Sequence, residues 1–240
     1  MTSVCFVTPA WGRFDLTEVC AWQRVNVIRT LAEHGIEAYA VYIADDANLD
    51  IALGCGFETV EQNNDFLGRK FNDGMQWAGE QGYDWIVPIG SDSWIDPKYF
   101  LPLPDPSETR TSPLYCAVTD TRLAELRSHD AKGIGPYMFH RSLLESCGFR
   151  PASDTLHKSI DRSTIAGINA PINWVEHNLH PFQYVGFRGF PHLTPYDLLV
   201  EKLGVREHSD PWTILSGYYP TDLVTRVRRV LTMQYEAVNG

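Results

Sequence analysis

The stretch DWIVPIGSDSWIDP, from Asp84 to Pro97, decides how this chain is interpreted. Asp84 to Ile89 has the apolar pattern of a buried strand, and the pattern stops abruptly at Gly90-Ser91-Asp92-Ser93. In α/β proteins the ligand crevice opens at the carboxyl ends of the strands, and a carboxylate placed there can hold a metal ion and a phosphate group. We therefore expect Asp92 to lie in a functional site.

The residues before this stretch alternate between strand and helix patterns. Ser3 to Thr8 is a short apolar run, and Pro9 to Arg13 breaks it before a helix in which Asp15 and Glu18 form a candidate capping pair. The next predicted elements are strands at Ile36–Ile43 and Phe57–Glu61, a helix after the polar loop Asn63–Lys70, and the strand Asp84–Ile89. This alternation predicts a parallel sheet with helices on its faces.

Three of the predicted strand ends carry polar groups. They are Pro9–Arg13, Asp45-Asp46 and Asp92. Because the carboxyl ends of parallel strands meet at one edge of a sheet, we expect these groups to line one crevice.

The pattern changes beyond Pro97, where a proline-rich loop separates the first half of the chain from a second half of mixed elements. The predicted elements of this half are strands near Tyr115–Val118, Arg122–Leu126 and Gln183–Phe187, and helices near Arg141–Ser146, Tyr196–Leu203 and Thr221–Ala237. The chain has 240 residues, of which 44% are hydrophobic, enough for one sizeable core. No segment of the sequence resembles a linker between two domains. We therefore expect a single α/β domain over residues 1–240.

Charge and cysteine content disfavour several classes of protein. A formal net charge of -10 disfavours tight nonspecific binding to nucleic acid, which needs clustered basic residues. Five dispersed cysteines without a CxxC motif, and no basic segment before the first strand, favour a reducing cytoplasm. No apolar run approaches the roughly 18 residues of a membrane span, so we expect no membrane partner.

The order of elements and motifs resembles the GT-A glycosyltransferases, in particular the family 2 type, over roughly residues 3–200. The resemblance implies a Rossmann-like, mixed but mainly parallel sheet flanked by helices. It implies that residues 1–100 bind a nucleotide-sugar donor, such as a UDP- or GDP-sugar, and that residues 101–240 form the acceptor side.

The resemblance assigns donor binding to the loop after the first strand, the acidic pair after the second, a basic helix start and the motif around Asp92. The loop flanks the nucleobase in the family, the acidic pair recognises the base, and the helix approaches the base or the diphosphate, where its N-terminus favours an anion. The alternatives are a turn at the acidic pair and solvated basic side chains. The implied donor-binding residues are Pro9, Arg13, Asp45, Asp46, Arg69, Lys70, Asn72 and Ser91.

Residues 89–94 align with the family's Asp-x-Asp motif, whose carboxylates hold Mn²⁺ or Mg²⁺ against the donor diphosphate. This chain departs from the motif, because Gly90 and Ser93 stand where Asp is common. Asp92 remains as the implied ligand of a weakened metal site, and His192 is the favoured candidate to complete it. His177 and His180 are further candidates, although each is more typical of a packing or surface residue.

An inverting transfer needs a general base on the acceptor side, and the family uses a carboxylate there. Gly148–Pro151 followed by Ser159–Arg162 resembles the region that supplies it. Asp161 is the first candidate and Asp154 the second; a helix cap is the alternative role for either.

The resemblance implies an enzyme that moves a sugar from a nucleotide donor to a hydroxyl group. The run NDFLGRKFNDG at residues 64–74 also resembles compact bacteriophage-encoded transferases, which implies the host cytoplasm and a virion protein or hypermodified DNA base as the acceptor. A small molecule is the third candidate acceptor. Two other functions stay open: a catalytically degenerate nucleotide- or sugar-binding module, and a sugar-nucleotide nucleotidyltransferase.

Overall fold

A computed structural model describes residues 2–128, 135–157, 160–188 and 196–239, and within these ranges the chain forms twelve strands and eight α-helices. The strands are β1 (Ser3–Pro9), β2 (Glu37–Ala44), β3 (Glu58–Glu61), β4 (Trp85–Pro88), β5 (Ser93–Ile95), β6 (Glu108–Thr111), β7 (Leu114–Val118), β8 (Leu123–Arg127), β9 (Phe139–His140), β10 (Asn173–Glu176), β11 (Tyr184–Phe187) and β12 (Gly204–His208). The helices are α1 (Phe14–Glu33), α2 (Asn48–Gly54), α3 (Leu67–Gln81), α4 (Arg141–Glu145), α5 (Ile160–Gly167), α6 (Tyr196–Leu203), α7 (Pro211–Ser216) and α8 (Thr221–Asn239), with a 3₁₀ helix at Pro97–Phe100.

The first sheet has the strand order β3-β2-β1-β4-β9, in which β9 alone runs antiparallel to its neighbour. Val4 of β1 lies opposite Ala38 of β2 on one side and Trp85 of β4 on the other. This register brings the carboxyl ends of β1, β2 and β4 to the same edge, as the sequence predicts.

Strand β1 is apolar on both faces because helices cover both faces of the sheet. Val4 and Phe6 point into the cluster that contains α1 residues, and Cys5 and Val7 point into the cluster that contains α3 residues. All four side chains are fully buried. This two-sided burial explains the continuous apolar run in the sequence.

The second sheet has the order β12-β8-β7-β11-β5, and a separate parallel pair joins β6 and β10. Its edge strand β5 directly follows the Asp92 loop and pairs antiparallel with β11. Trp94 in β5 is fully buried, with its ring centroid 4.8 Å from that of Phe187 in β11. The loop of Asp92 is therefore fixed between the two sheets.

The predicted strands and helices of the first half are confirmed to within a few residues, and α6 has the predicted bounds. Helix α2 lies between two predicted strands, where no element is predicted. Two local predictions are wrong. Helix α3 begins at Leu67, inside the predicted polar loop. Arg13, not the pair Asp15 and Glu18, occupies the N-cap of α1, and its side chain makes no capping hydrogen bond within the described residues.

The mixed, mainly parallel α/β architecture is confirmed. The structure describes all five cysteines; they are free, and Cys5, Cys20 and Cys116 are buried. Among the described helices, none has the length and apolarity needed to span a bilayer. The division into a donor half and an acceptor half stays a prediction.

Candidate functional site

The loops after β1, β2 and β4 meet at the carboxyl edge of the first sheet. The backbone N–H of Ala10, just after β1, donates to the carbonyl of Ile43 near the end of β2 at 3.0 Å. The backbone N–H of Ile89, just after β4, donates to the carbonyl of Val7 at 3.0 Å. These bonds continue the ladder to the point where the strands end, so the three loops start from fixed positions.

The loop after β1 makes a left-handed turn that directs Arg13. Gly12 has φ 55°, and Arg13 has φ 47° and ψ 42°. A non-glycine residue in this region carries a strain of about 1–2 kcal/mol, which the surrounding structure must offset. Trp11 in the same turn is 64% exposed, so its ring lies outside the core.

Arg13 forms an ion pair with Asp92, the residue that the sequence singles out. Arg13 Nη1 lies 3.0 Å from Asp92 Oδ2, with side-chain exposures of 21% and 15%. Asp92 Oδ1 accepts a hydrogen bond from Ser93 Oγ at 3.2 Å, and the backbone carbonyl of Asp92 accepts one from Phe187 N at 2.9 Å. The carboxylate is therefore held between the β1 loop and the start of the second sheet.

Gly90 leaves the space that this carboxylate occupies. A Cβ added at Gly90 would lie 2.7 Å from Asp92 Oδ1 and 3.3 Å from Ser93 Oγ. A longer side chain there would displace Asp92 from its present position. Glycine in place of the motif's Asp at residue 90 thus permits the Asp92 conformation that reaches Arg13.

Asp46 joins the loops after β1 and β2. Its Oδ2 accepts a hydrogen bond from Gly12 N at 3.1 Å. Its Oδ1 accepts from Asn48 N at 2.9 Å and from Asn48 Nδ2 at 2.6 Å. The turn alternative considered for the acidic pair is therefore present in the structure; recognition of a base by Asp46 stays a prediction.

Asp45 and Lys70 are linked through Asn64. The backbone N–H of Asn64 donates to Asp45 Oδ2 at 3.0 Å, and its side-chain amide hydrogen-bonds to both Asp45 and Lys70. Lys70 Nζ also donates to the carbonyl of Ala10 at 2.8 Å. Burial lowers the pKa of Lys70, while the charges of Asp45 and Asp46 act in the opposite direction. Lys70 thus fixes α3 to the loop after β1.

Asn72, in α3, contacts Asp154 in the second half of the chain. Asn72 Nδ2 donates to Asp154 Oδ1 at 2.7 Å, and Arg150 Nη2 donates to the same oxygen at 3.0 Å. Burial alone would raise the pKa of Asp154, but these two hydrogen bonds and the charges of Arg150 and Arg69 outweigh it and lower the pKa. A carboxylate stabilised in this way is a weak base, so the contacts of Asp154 favour a structural role.

The other predicted residues are distributed as follows. Pro9 ends β1, Ser91 is buried in the Asp92 loop, and the Arg69 guanidinium lies 5.6 Å from the Phe66 ring centroid. Asp161 belongs to α5, but its side chain is not described. His192 lies outside the described residues.

His180 packs in the second half and hydrogen-bonds to Asp96, a contact that the sequence does not reveal. Its Nε2 lies 2.9 Å from Asp96 Oδ2, and its ring stacks on Tyr218 with centroids 4.3 Å apart. Burial alone would raise the pKa of Asp96, but hydrogen bonds from His180 and from the backbone N–H of Lys98 lower it. These contacts favour the packing role for His180. The partly buried His177 ring packs edge-on against Tyr99, with ring centroids 5.6 Å apart, which favours the same role for His177.

The comparisons with known proteins identify the fold. No protein-family model matches the chain, and no curated protein matches its sequence. The crystal structure of S. aureus TarS 1-349 is 12% identical, with a TM-score of 0.55, over 78% of this chain and 60% of that one. A Drosophila beta-1,4-galactosyltransferase 7 mutant in complex with manganese, UDP-Gal and xylobiose is 12% identical, with a TM-score of 0.53, over 76% of this chain and 68% of that one.

A structure of TarS 1-349 in complex with UDP also matches, with 14% identity and a TM-score of 0.51. The present chain spans about 60% of the length of TarS 1-349. At these identities the likeness concerns the fold: this chain has the GT-A fold that the sequence resemblance implies.

The described residues do not fit a divalent cation. No three His, Cys, Asp or Glu side chains in the described ranges are placed to hold a metal ion. Asp92 is paired with Arg13, whose positive charge disfavours a second cation at the same carboxylate.

The Arg13–Asp92 pair is the feature that sequence reasoning missed. The sequence predicts both residues at the site, but with separate roles: Arg13 in the loop that flanks the nucleobase, and Asp92 as a metal ligand. Gly12 is the available signal, since glycine before Arg13 favours a left-handed turn that redirects the chain.

Proposed function

We propose that this protein transfers a glycosyl group from a nucleotide-sugar donor to an acceptor hydroxyl group. The observation that carries the proposal is the meeting of Arg13 and Asp92 at adjacent strand ends of a GT-A fold. A guanidinium beside a crevice at this edge suits the diphosphate of a donor.

The donor in this proposal is a UDP- or GDP-sugar. TarS and the galactosyltransferase were solved with UDP and UDP-Gal respectively, and this chain is similar in fold to them over 78% and 76% of its length. The exposed Trp11 offers a flat apolar face at the edge of the crevice, which suits a base or a sugar ring. The loop after β2, held by Asp45 and Asp46, forms the neighbouring wall.

The proposed reaction is a displacement with inversion. The acceptor oxygen attacks the anomeric carbon, the bond from that carbon to the diphosphate oxygen breaks, and the bonding electron pair leaves with the nucleoside diphosphate. Asp161 takes the proton of the acceptor hydroxyl as the general base. Asp154 is less suited, because its carboxylate is already held by Asn72 and Arg150.

The acceptor is a protein, a modified DNA base or a small molecule. The net charge of -10 favours the first and third of these, because a DNA acceptor needs neutralisation of its phosphates. Free cysteines are compatible with a reducing cytoplasm as the place of action.

A thermal-shift panel of UDP, GDP and their sugars tests the proposal. A ligand at about 100 times its dissociation constant adds about 2.7 kcal/mol to the free energy of unfolding. We expect one nucleoside diphosphate and its sugars to raise the melting temperature, while free sugars do not. If no nucleotide and no nucleotide sugar raises it, the proposal is wrong.

A second experiment separates transfer from binding. Wild type should release nucleoside diphosphate from the matching sugar nucleotide, slowly by hydrolysis and faster with a productive acceptor. Asp161→Asn should bind the donor as wild type does and lose at least about 100-fold in transfer. The binding-module alternative, supported by the missing carboxylates at Gly90 and Ser93, predicts tight binding with no release in wild type.

A further inference from the structure

The basic side chains around the candidate site differ in the hydrogen bonds and ion pairs that they form with the protein. Lys70 Nζ is buried and donates to the Ala10 carbonyl, and Arg150 is shared between Asp73 at 2.6 Å and Asp154 at 3.0 Å. Arg13 is instead 21% exposed at the strand ends, and within the described residues its one ion pair uses Nη1. A guanidinium carries five N–H donors, so one that is paired through Nη1 keeps others to offer a ligand.

The backbone of Arg13 is strained in a way that directs this side chain. The consecutive left-handed residues Gly12 and Arg13 turn the chain toward the end of β4, where Asp92 receives the guanidinium. Gly12 N is itself held by Asp46 at 3.1 Å, so the strained turn is fixed by a second carboxylate. Backbone strain retained under such constraint is typical of functional sites.

Asp92 is better placed to align a guanidinium than to bind a cation alone. The space left by Gly90 lets its carboxylate lie where Oδ2 meets Arg13 and Oδ1 meets Ser93. An aspartate at residue 90 would collide with this arrangement. Glycine at residue 90, where the motif commonly has Asp, therefore leaves room for the Asp92 carboxylate that holds Arg13.

We propose that Arg13, aligned by Asp92, binds the diphosphate of the donor and supplies the positive charge for which a divalent cation is used elsewhere in this fold. This inference rests on the proposed function. When the bond between the anomeric carbon and the diphosphate oxygen breaks, the electron pair stays on that oxygen, and the Arg13 N–H groups hydrogen-bond to the resulting negative charge. The nucleotide-binding and transfer reactions are then independent of added metal.

The test measures the binding of UDP, GDP, uridine and guanosine by calorimetry, in EDTA and with added Mn²⁺. Wild type should bind its nucleoside diphosphate with the same affinity in both buffers. Arg13→Met should bind the diphosphate at least tenfold more weakly and the nucleoside unchanged, because it loses charge but keeps most of the side-chain length. Arg13→Lys should retain part of the affinity, since it keeps the charge and loses the planar fork.

Arg29→Met is the matched control, because Arg29 is exposed on the same helix and its loss changes the net charge equally. It should bind like wild type. The inference is wrong if EDTA abolishes diphosphate binding by wild type, or if Arg13→Met and Arg13→Lys both bind as wild type does. Absence of binding by wild type in either buffer would instead contradict the proposed function, and the inference with it.

Discussion

At the scale of single residues, the acidic side chains of the site hold their own loops together. Asp46 accepts three hydrogen bonds from Gly12 and Asn48, and these bonds join the loops after two adjacent strands. Removal of the carboxylate would leave two backbone N–H groups without this partner. Asp46 therefore contributes to stability whether or not a ligand contacts it.

Asp46→Ala should lower the free energy of unfolding by about 1–3 kcal/mol, the usual cost of donors that lose their partner. Urea unfolding measures this. Asp50→Ala removes the same charge from an exposed position in α2 and should change the free energy by less than about 0.5 kcal/mol. Equal effects of the two substitutions would contradict the structural role of Asp46.

Gly90→Ala tests the space beside Asp92. The new Cβ would lie 2.7 Å from Asp92 Oδ1, so the carboxylate must shift, and we expect its pairing with Arg13 to weaken. We expect the affinity for the nucleoside diphosphate to fall about three- to tenfold, equivalent to about 0.7–1.4 kcal/mol. Gly54→Ala, where the added Cβ meets nothing within 4 Å, is the control and should bind normally. Unchanged affinity in Gly90→Ala would contradict the role of Gly90 in positioning Asp92.

At the scale of elements, sequence reasoning succeeded where an element is buried on two faces and failed where distant pairing creates it. Strands β1, β2 and β4 were predictable because burial between helices requires continuous apolar runs. Strand β5 has three residues and exists because β11, about 90 residues later, pairs with it. No local pattern encodes such a partner.

Asp96 caps the 3₁₀ helix that follows β5, and its contribution to the stability of the protein depends on pH. The pKa of Asp96 is lowered in the folded protein from its ordinary value of 3.8, through hydrogen bonds from His180 and Lys98 N that outweigh burial. A group with a lowered folded-state pKa stabilises the protein above its unfolded-state pKa, and the effect disappears as the pH falls through the folded-state value.

Asp96→Asn should therefore destabilise the protein by about 1–2 kcal/mol near neutral pH. Its difference from wild type should shrink as the pH falls below about 4. Urea unfolding at several pH values measures the difference, with Asp50→Asn as an exposed control. A difference that stays constant from pH 7 to the acid limit of the folded state would contradict the ionic role of Asp96.

At the scale of the whole molecule, the strand order assembles the site from four segments distant in sequence. Arg13, Asp46, Lys70 and Asp92 lie at one edge of the first sheet because β2, β1 and β4 are neighbours and α3 packs on them. That the strand ends meet was predictable from the alternation of strands and helices. The pairing of Arg13 with Asp92 was not, because it depends on a left-handed backbone and on the space beside Gly90.

A crystal structure with bound UDP or GDP, whichever stabilises the protein, tests the central claim most directly. The account predicts the diphosphate at the carboxyl ends of β1 and β4, with a phosphate oxygen about 2.7–3.0 Å from the Arg13 guanidinium. The base should lie along the loop of residues 9–13. A nucleotide bound away from these strand ends would contradict the account.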